Sequence, residues 1–425
     1  MGENSFILKG DLICSISRDE LSLQPESFLV CIDGRSRGVF REIPEAFQGL
    51  PFRDFSGQMI IPGLCDLHTH APQYAFRGLG MDLPLLDWLD TYAFPEEMRY
   101  SDLDYADRAY SQFVDALVKS PTTRVSIFAT LHVPATVLLM EKLEASGLKG
   151  YVGKVSMDRS SPDYYREETA EDALSAMIGW LRSSRLQFRN FQPIITPRFT
   201  PSCTDDLMEM LGLAARETGA RVQSHLSESP EEVEWVRSLC PRAGHYIDTY
   251  LQRGMLDPDR PSIMAHCVYS DEYERRIMRE NNVFAAHCPQ CNMNIASGMA
   301  PVRRWLDEGL QAGLGTDVAG GATLSLFRTM MEAKQVSSMV WRYQDHSLKP
   351  LTFEEVFYLA TAGGGAFFGK TGSFQPGFEL DALVLDETAL PSPRKLSLRE
   401  RIERFAFLSG EQCVSHKFVS GRQLF

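Results

Sequence analysis

The stretch Pro62-Gly63-Leu64-Cys65-Asp66-Leu67-His68-Thr69-His70 puts two imidazoles two residues apart at the end of an apolar run. Side chains at i and i+2 of a strand point the same way, so His68 and His70 can grip one metal ion. Two histidines do not complete a site, because a catalytic zinc takes about three protein ligands and keeps a position open for water. Taken alone, the pair reads equally well as two strand histidines with their hydrogen bonds satisfied. The rest of the chain decides between the two.

From residue 59 onward, strand-like apolar runs alternate with amphipathic helical stretches, the pattern of repeated βα units. There are eight runs, at residues 59–70, 124–132, 150–157, 191–199, 220–226, 262–267, 282–288 and 312–317. In order, their tips carry His68 with His70, His132, Lys154 or Asp158, Arg198, His225, His266, His287 and Asp317. Polar groups recurring at the carboxyl ends of eight successive parallel strands mark a (β/α)8 barrel, whose βα loops build the active site there. The two chain ends read differently. Residues 5–42 hold short strand signals around Ser5-Phe6-Ile7-Leu8 and Phe28-Leu29-Val30-Cys31-Ile32, with Asp33-Gly34 as a turn. Residues 375–425 hold two more, at 381–386 and 417–422. Neither end is large enough to fold alone. The expected fold is therefore α/β: a (β/α)8 barrel over residues 58–370, with residues 1–57 and 371–425 joining as one small composite β-sandwich.

Composition sets bounds on function. A chain of 425 residues with 44% hydrophobic content can bury one large core and a smaller appendage. No apolar stretch is long enough to span a bilayer. The start, Met1-Gly2-Glu3-Asn4-Ser5, lacks a basic segment followed by a hydrophobic block, so export is not expected. Nine scattered cysteines fit reduced thiols in a cytoplasm better than a disulfide framework. A formal charge of −13 argues against nucleic acid or an anionic membrane as partner and leaves a small neutral or cationic substrate.

Pro62 to His70, Ser224-His225-Leu226-Ser227-Glu228, Ala265-His266-Cys267 and Gly315-Thr316-Asp317 together resemble the signature of the amidohydrolase superfamily. More particular segments resemble the guanine deaminase family within it: Thr69 to Tyr74, Asp82 to Leu89 with its Leu-Asp-Trp-Leu, Pro197-Arg198-Phe199, and Gly315 to Gly321. The likeness runs over most of the chain, in the same order and at similar spacing. It departs at Cys65, where valine is usual, at Cys291, where serine is commoner, and in the segment from His266 to Asp271, which is one residue shorter.

The residues can be tested against the chemistry that this resemblance implies. Removing an exocyclic amine from a purine needs a strong nucleophile at neutral pH, which zinc supplies by lowering the pKa of a bound water to about 7. His68, His70, His225 and Asp317 are expected to hold one Zn2+ per chain, although Fe2+ accepts the same ligands. Asp317 has an oxygen to spare for a proton from the attacking water. Glu228, three residues beyond His225, is expected to protonate the ring nitrogen beside the reacting carbon and to pass a proton to the leaving ammonia, which calls for a raised pKa. His266 would orient the attacking oxygen. For recognition, Arg198 offers a forked donor to the guanine carbonyl, Gln73 can donate and accept along a purine edge, Phe199 offers a stacking face, and Trp88 helps close the pocket. The resemblance further implies a homodimer.

Each residue also has a plainer reading. His225 or His266 alone would more often be a core histidine, Arg198 and Gln73 could serve a structural bond, and Phe199 and Trp88 could be core aromatics. His132 and His287 match no ligand position and are read as structural. Cys288-Pro289-Gln290-Cys291 is a C-x-x-C, but without a His-x-Glu partner it does not make the other zinc deaminase fold. Lys154 lies on the third strand, one earlier than a metal-bridging carboxylated lysine would stand, so one metal is expected. Two alternatives to guanine deamination remain: a related hydrolase acting on another aminopurine, pterin or triazine, and a non-catalytic barrel scaffold. The intact ligand set and Glu228 argue against the scaffold.

Overall fold

A computed structural model describes residues 4–410 and 413–425. Residues 1–3, part of the stretch weighed for export, lie outside them. Four strands open the chain: β1 (Phe6–Ser15), β2 (Leu21–Ile32), β3 (Arg35–Phe40) and β4 (Phe52–Pro62). The barrel strands come next as β5 (Leu64–His70), β6 (Thr122–Phe128) and β7 (Lys149–Gly153), then, after the short β8 (Val155–Ser156), β9 (Phe191–Pro193). After the short β10 (Thr196–Pro197) come β11 (Gln223–Leu226), β12 (Ser262–His266), β13 (Val283–His287) and β14 (Ala312–Leu314). The chain ends with β15 (Ala382–Leu385), β16 (Val414–Val419) and β17 (Arg422–Gln423).

The eight strands β11-β12-β13-β14-β5-β6-β7-β9 pair in that order, all parallel. Ile195 closes the ring, its N–H donating to Arg221 at 2.9 Å and its carbonyl accepting from Gln223 at 3.0 Å. Every expected run thus supplies a barrel strand. Helices cover the outside, so these strands are buried on both faces; all seven residues of β5 are buried. Leu67, Ile194, Ile263, Ala265, Phe284 and Ala286 fill the lower interior around Phe367. That packing leaves only the carboxyl ends of the strands open to a substrate.

Residues 59–70 do not form one strand. They divide at Gly63, with Met59 to Pro62 finishing β4 in the sheet of the chain ends and Leu64 starting the barrel. A Cβ on Gly63 would lie 2.1 Å from Thr123 Oγ1, and its N–H donates to Asp381. Both sides of the break are equally apolar, so hydrophobicity alone does not reveal it.

The chain ends interleave in one hydrogen-bonded sheet, ordered β17-β16-β15-β4-β1-β2-β3. Asp33 and Gly34 make the tight turn between β2 and β3, with φ of 49° and 75°. Phe6 on β1 and Phe418 on β16 are three strands apart, about 14 Å in a flat sheet. Their rings lie 5.3 Å apart, so the sheet curls over a core of its own in the manner of a sandwich. Arg124 of β6 anchors it to the barrel, donating to Asp381 at 2.6 and 3.0 Å and to Glu379 at 2.9 Å. Among the described residues no helix is long and apolar enough to cross a membrane.

Candidate active site

The expected ligands come together because β5 and the segment after β14 are tied by a buried carboxylate. Asp66 accepts from the Thr316 N–H at 3.0 Å, the Thr316 hydroxyl at 2.6 Å and the His68 N–H at 3.2 Å. The Asp317 N–H donates to the His68 carbonyl at 2.9 Å. His68 Nε2 then stands 3.1 Å and His70 Nε2 3.5 Å from Asp317 Oδ1. His225 arrives from β11, its ring centre 4.9 Å from that of His68. His225 Nδ1 lies 2.6 Å from the Arg198 carbonyl, which can only accept, so Nδ1 carries the proton and Nε2 keeps its lone pair. Strand-tip residues here adopt left-handed backbone, with φ of 71° at His266 and 46° at Asp317, a costly conformation concentrated at functional sites.

The donor set suits a cation. Ligand atoms of His68, His70 and Asp317 lie within 4.8 Å of one another, as do those of His68, His225 and His266. His68 is fully buried with Nδ1 unpartnered and Nε2 facing only Asp317 Oδ1 without a well-aligned hydrogen bond, a costly arrangement unless something binds there. Burial, the largest influence on each, holds His68, His70 and His225 below the usual imidazole range, which keeps them neutral as ligands must be. Burial opposes ionisation of Asp317, yet the surrounding imidazoles, His68 foremost, hold its carboxyl well below the usual range. Three neutral imidazoles and one carboxylate match a zinc or iron ligand set.

Glu228 and His266 stand beside this cluster. His266 Nε2 is 3.3 Å from Glu228 Oε2 and 3.6 Å from Asp317 Oδ2, and its Nδ1 lies 2.8 Å from Asn292 Oδ1. Burial raises the Glu228 carboxyl to about 7, with His266 pulling the other way. For His266, burial lowers the pKa, but Glu228 and Asp317 outweigh it and the net shift is upward. The Glu228 N–H donates to Glu232 at 2.8 Å, and the Tyr246 hydroxyl holds the other Glu232 oxygen at 2.7 Å.

A cavity of about 410 Å³, counted out to its mouth, opens onto His70, His225, Glu228, His266 and Asp317. Gln73, Arg198, Phe199 and Trp88 all line it. Trp88 is held by a bond from its indole N–H to the Leu79 carbonyl at 3.3 Å, and Phe199 packs edge-on against Trp235. Arg198 does not present a free fork. Both of its terminal nitrogens are bound to Glu97, so only its other N–H bonds are left for a substrate.

Glu97, Ser297, Asn292 and Asp66 are contacts of the site to which sequence reading gives no role. Glu97 lies 101 positions from Arg198 and Ser297 lies 69 from Glu228, so no local spacing links them. His132 and His287 stay out of the cluster; His287 is buried against Trp305. Lys154 is fully buried in an ion pair with Glu167, which occupies the amine. Cys288 and Cys291 are free and buried, and Cys291 forms part of the cavity wall.

The Amidohydrolase family model matches residues 59–424. The chain is 36% identical over 381 residues to the guanine deaminase of Dictyostelium discoideum, covering 87% of this chain and 83% of that one. It is 37% identical over 382 residues to the guanine deaminase of Mus musculus, covering 86% and 83%. A crystal structure of guanine deaminase from C. acetobutylicum with guanine bound in its active site superposes with a TM-score of 0.96 at 40% identity, covering 99% of this chain and all of the other.

Proposed function

The chain belongs to the amidohydrolase family, with guanine deaminases among its relatives, and from that membership we propose that it hydrolyses guanine to xanthine and ammonia. The observation that carries this reading is one cavity where His68, His70, His225 and Asp317 converge beside Glu228 and His266, with Gln73 and Arg198 on its wall. One water is consumed: a C–O bond forms at the carbon bearing the amine, and the C–N bond breaks.

His68, His70, His225 and Asp317 would hold one metal ion, zinc by preference. When bound, it makes water nucleophilic at neutral pH. Asp317, ionised in its imidazole cage, takes the proton the attacking water gives up. Glu228, whose carboxyl is raised to about 7, can hold a proton at working pH and deliver it to the ring nitrogen beside the reacting carbon, then carry one to the leaving amine. His266, fixed through Nδ1 by Asn292, aims Nε2 at the space between Glu228 and Asp317 and orients the attacking oxygen. Arg198 and Gln73 read the purine edge, Phe199 supplies an aromatic face, and Trp88 helps close the pocket. Nine unpaired cysteines suit a reducing cytoplasm, and the family resemblance suits a homodimer.

The test is purified protein incubated with guanine, adenine, pterin and a triazine, with ammonia release, metal content and light-scattering mass measured. Release from guanine is expected to dominate. No release from guanine, in a sample holding about one metal per chain, would remove this reading.

A further inference from the structure

Glu97, on the helix Phe94–Met98, is fully buried and accepts four hydrogen bonds. Its Oε1 takes Gln73 Nε2 at 2.8 Å and Arg198 Nη2 at 3.0 Å. Its Oε2 takes Arg198 Nη1 at 2.5 Å and the Tyr165 hydroxyl at 2.9 Å. One carboxylate therefore grips both polar side chains assigned to reading the purine edge. The same helix lays the Phe94 ring 4.8 Å from the Arg198 guanidinium carbon.

We propose that Glu97 is a positioning residue that sets the donor and acceptor pattern by which the pocket distinguishes a 6-oxo from a 6-amino purine. The proposal rests on the guanine reading above. An ionised carboxylate only accepts, so it requires the NH2 group of Gln73 on its side. On the other side, the Ala319 N–H donates to Gln73 Oε1 at 3.2 Å and requires the oxygen there. These opposite demands leave one orientation of an amide that would otherwise be free to turn over. The two-point grip on Arg198 likewise fixes the plane of the guanidinium, whose remaining N–H groups can only donate. A ring carbonyl satisfies those donors, whereas a 6-amino group sets donor against donor and leaves buried polar groups unpaired.

Glu97→Gln keeps the shape but replaces one acceptor oxygen with a donor, so the Arg198 grip becomes one-point in either orientation of the new amide, and in one of them Gln73 must also turn over. The inhibition constants of hypoxanthine and adenine, which differ at position 6, read the discrimination directly. In the variant, the preference for hypoxanthine is expected to shrink by about tenfold or more, and KM for guanine to rise more than kcat falls, with metal content unchanged. Tyr165→Phe keeps the carboxylate and removes one donor to it; the same loss of preference, by about two- to fivefold, is expected there and decides the matter if the first variant does not fold. Unchanged preference, or equal weakening of both inhibitors, overturns the inference while leaving guanine deamination standing. A wild-type protein that releases no ammonia from guanine overturns both.

Discussion

The Ser297 hydroxyl donates to Glu228 Oε1 at 2.7 Å from a fully buried position, leaving Oε2 of the same carboxyl facing His266. The two oxygens of Glu228 thus have different surroundings, one held by the protein and one turned toward the site. Burial raises this carboxyl to about 7, and the serine's bond pulls the other way by favouring the ionised form.

On the proposed mechanism Glu228→Gln removes a proton carrier without removing a ligand, so it is expected to keep the metal and lower kcat by about 10²–10⁴-fold. Ser297→Ala has a subtler effect. Without the hydroxyl, the carboxyl keeps its proton to higher pH, so the alkaline limb of the kcat/KM profile should move upward. Measured pH profiles with parallel metal analysis check both, and equal loss of metal in Glu228→Gln would make Glu228 structural.

Asp66 does not line the cavity, yet it joins Thr316 to the His68 backbone and so sets the spacing between His68 and Asp317. Asp66→Asn is expected to weaken metal affinity by about 10- to 100-fold, whereas His68→Ala, which takes away a proposed ligand, should lose the metal during purification. Competition with a chromophoric chelator gives the affinities. Wild-type affinity in Asp66→Asn would show that the strand pairing alone holds the ligands in place.

At the opposite end of the barrel, Arg124 pairs with Asp381 and Glu379. Arg124→Met would strand the buried Asp381 carboxylate and cost about 3–5 kcal/mol of folding stability. Burial works against ionisation of Glu379, but Arg124, Ser420 and Lys149 prevail and hold it to about 2, from an ordinary 4.5. Between those values the unfolded chain binds the extra proton, so this contribution is complete above about pH 4.5 and lost as pH falls toward 2. Urea midpoints of the wild type and Glu379→Gln should therefore differ by a constant amount at neutral pH and converge in acid. Parallel curves down to pH 2 would contradict the assignment.

The order of the barrel strands, the histidines at their tips and the turn at Asp33-Gly34 are legible in the chain itself, because strand periodicity and turn conformation are local properties. The break at Gly63 is not, since the apolar run continues across it and only contact with Thr123 and Asp381 divides β4 from β5.

The sequence by itself determined the residue types of the site: three imidazoles and a carboxylate suited to one cation, with Glu228 three residues beyond one of them. Tertiary structure alone decided the tautomer of His225, the charge states of the cluster and the grip of Glu97 on Arg198 and Gln73. Those depend on burial and on bonds between groups far apart in the chain, and neither can be read from spacing along it.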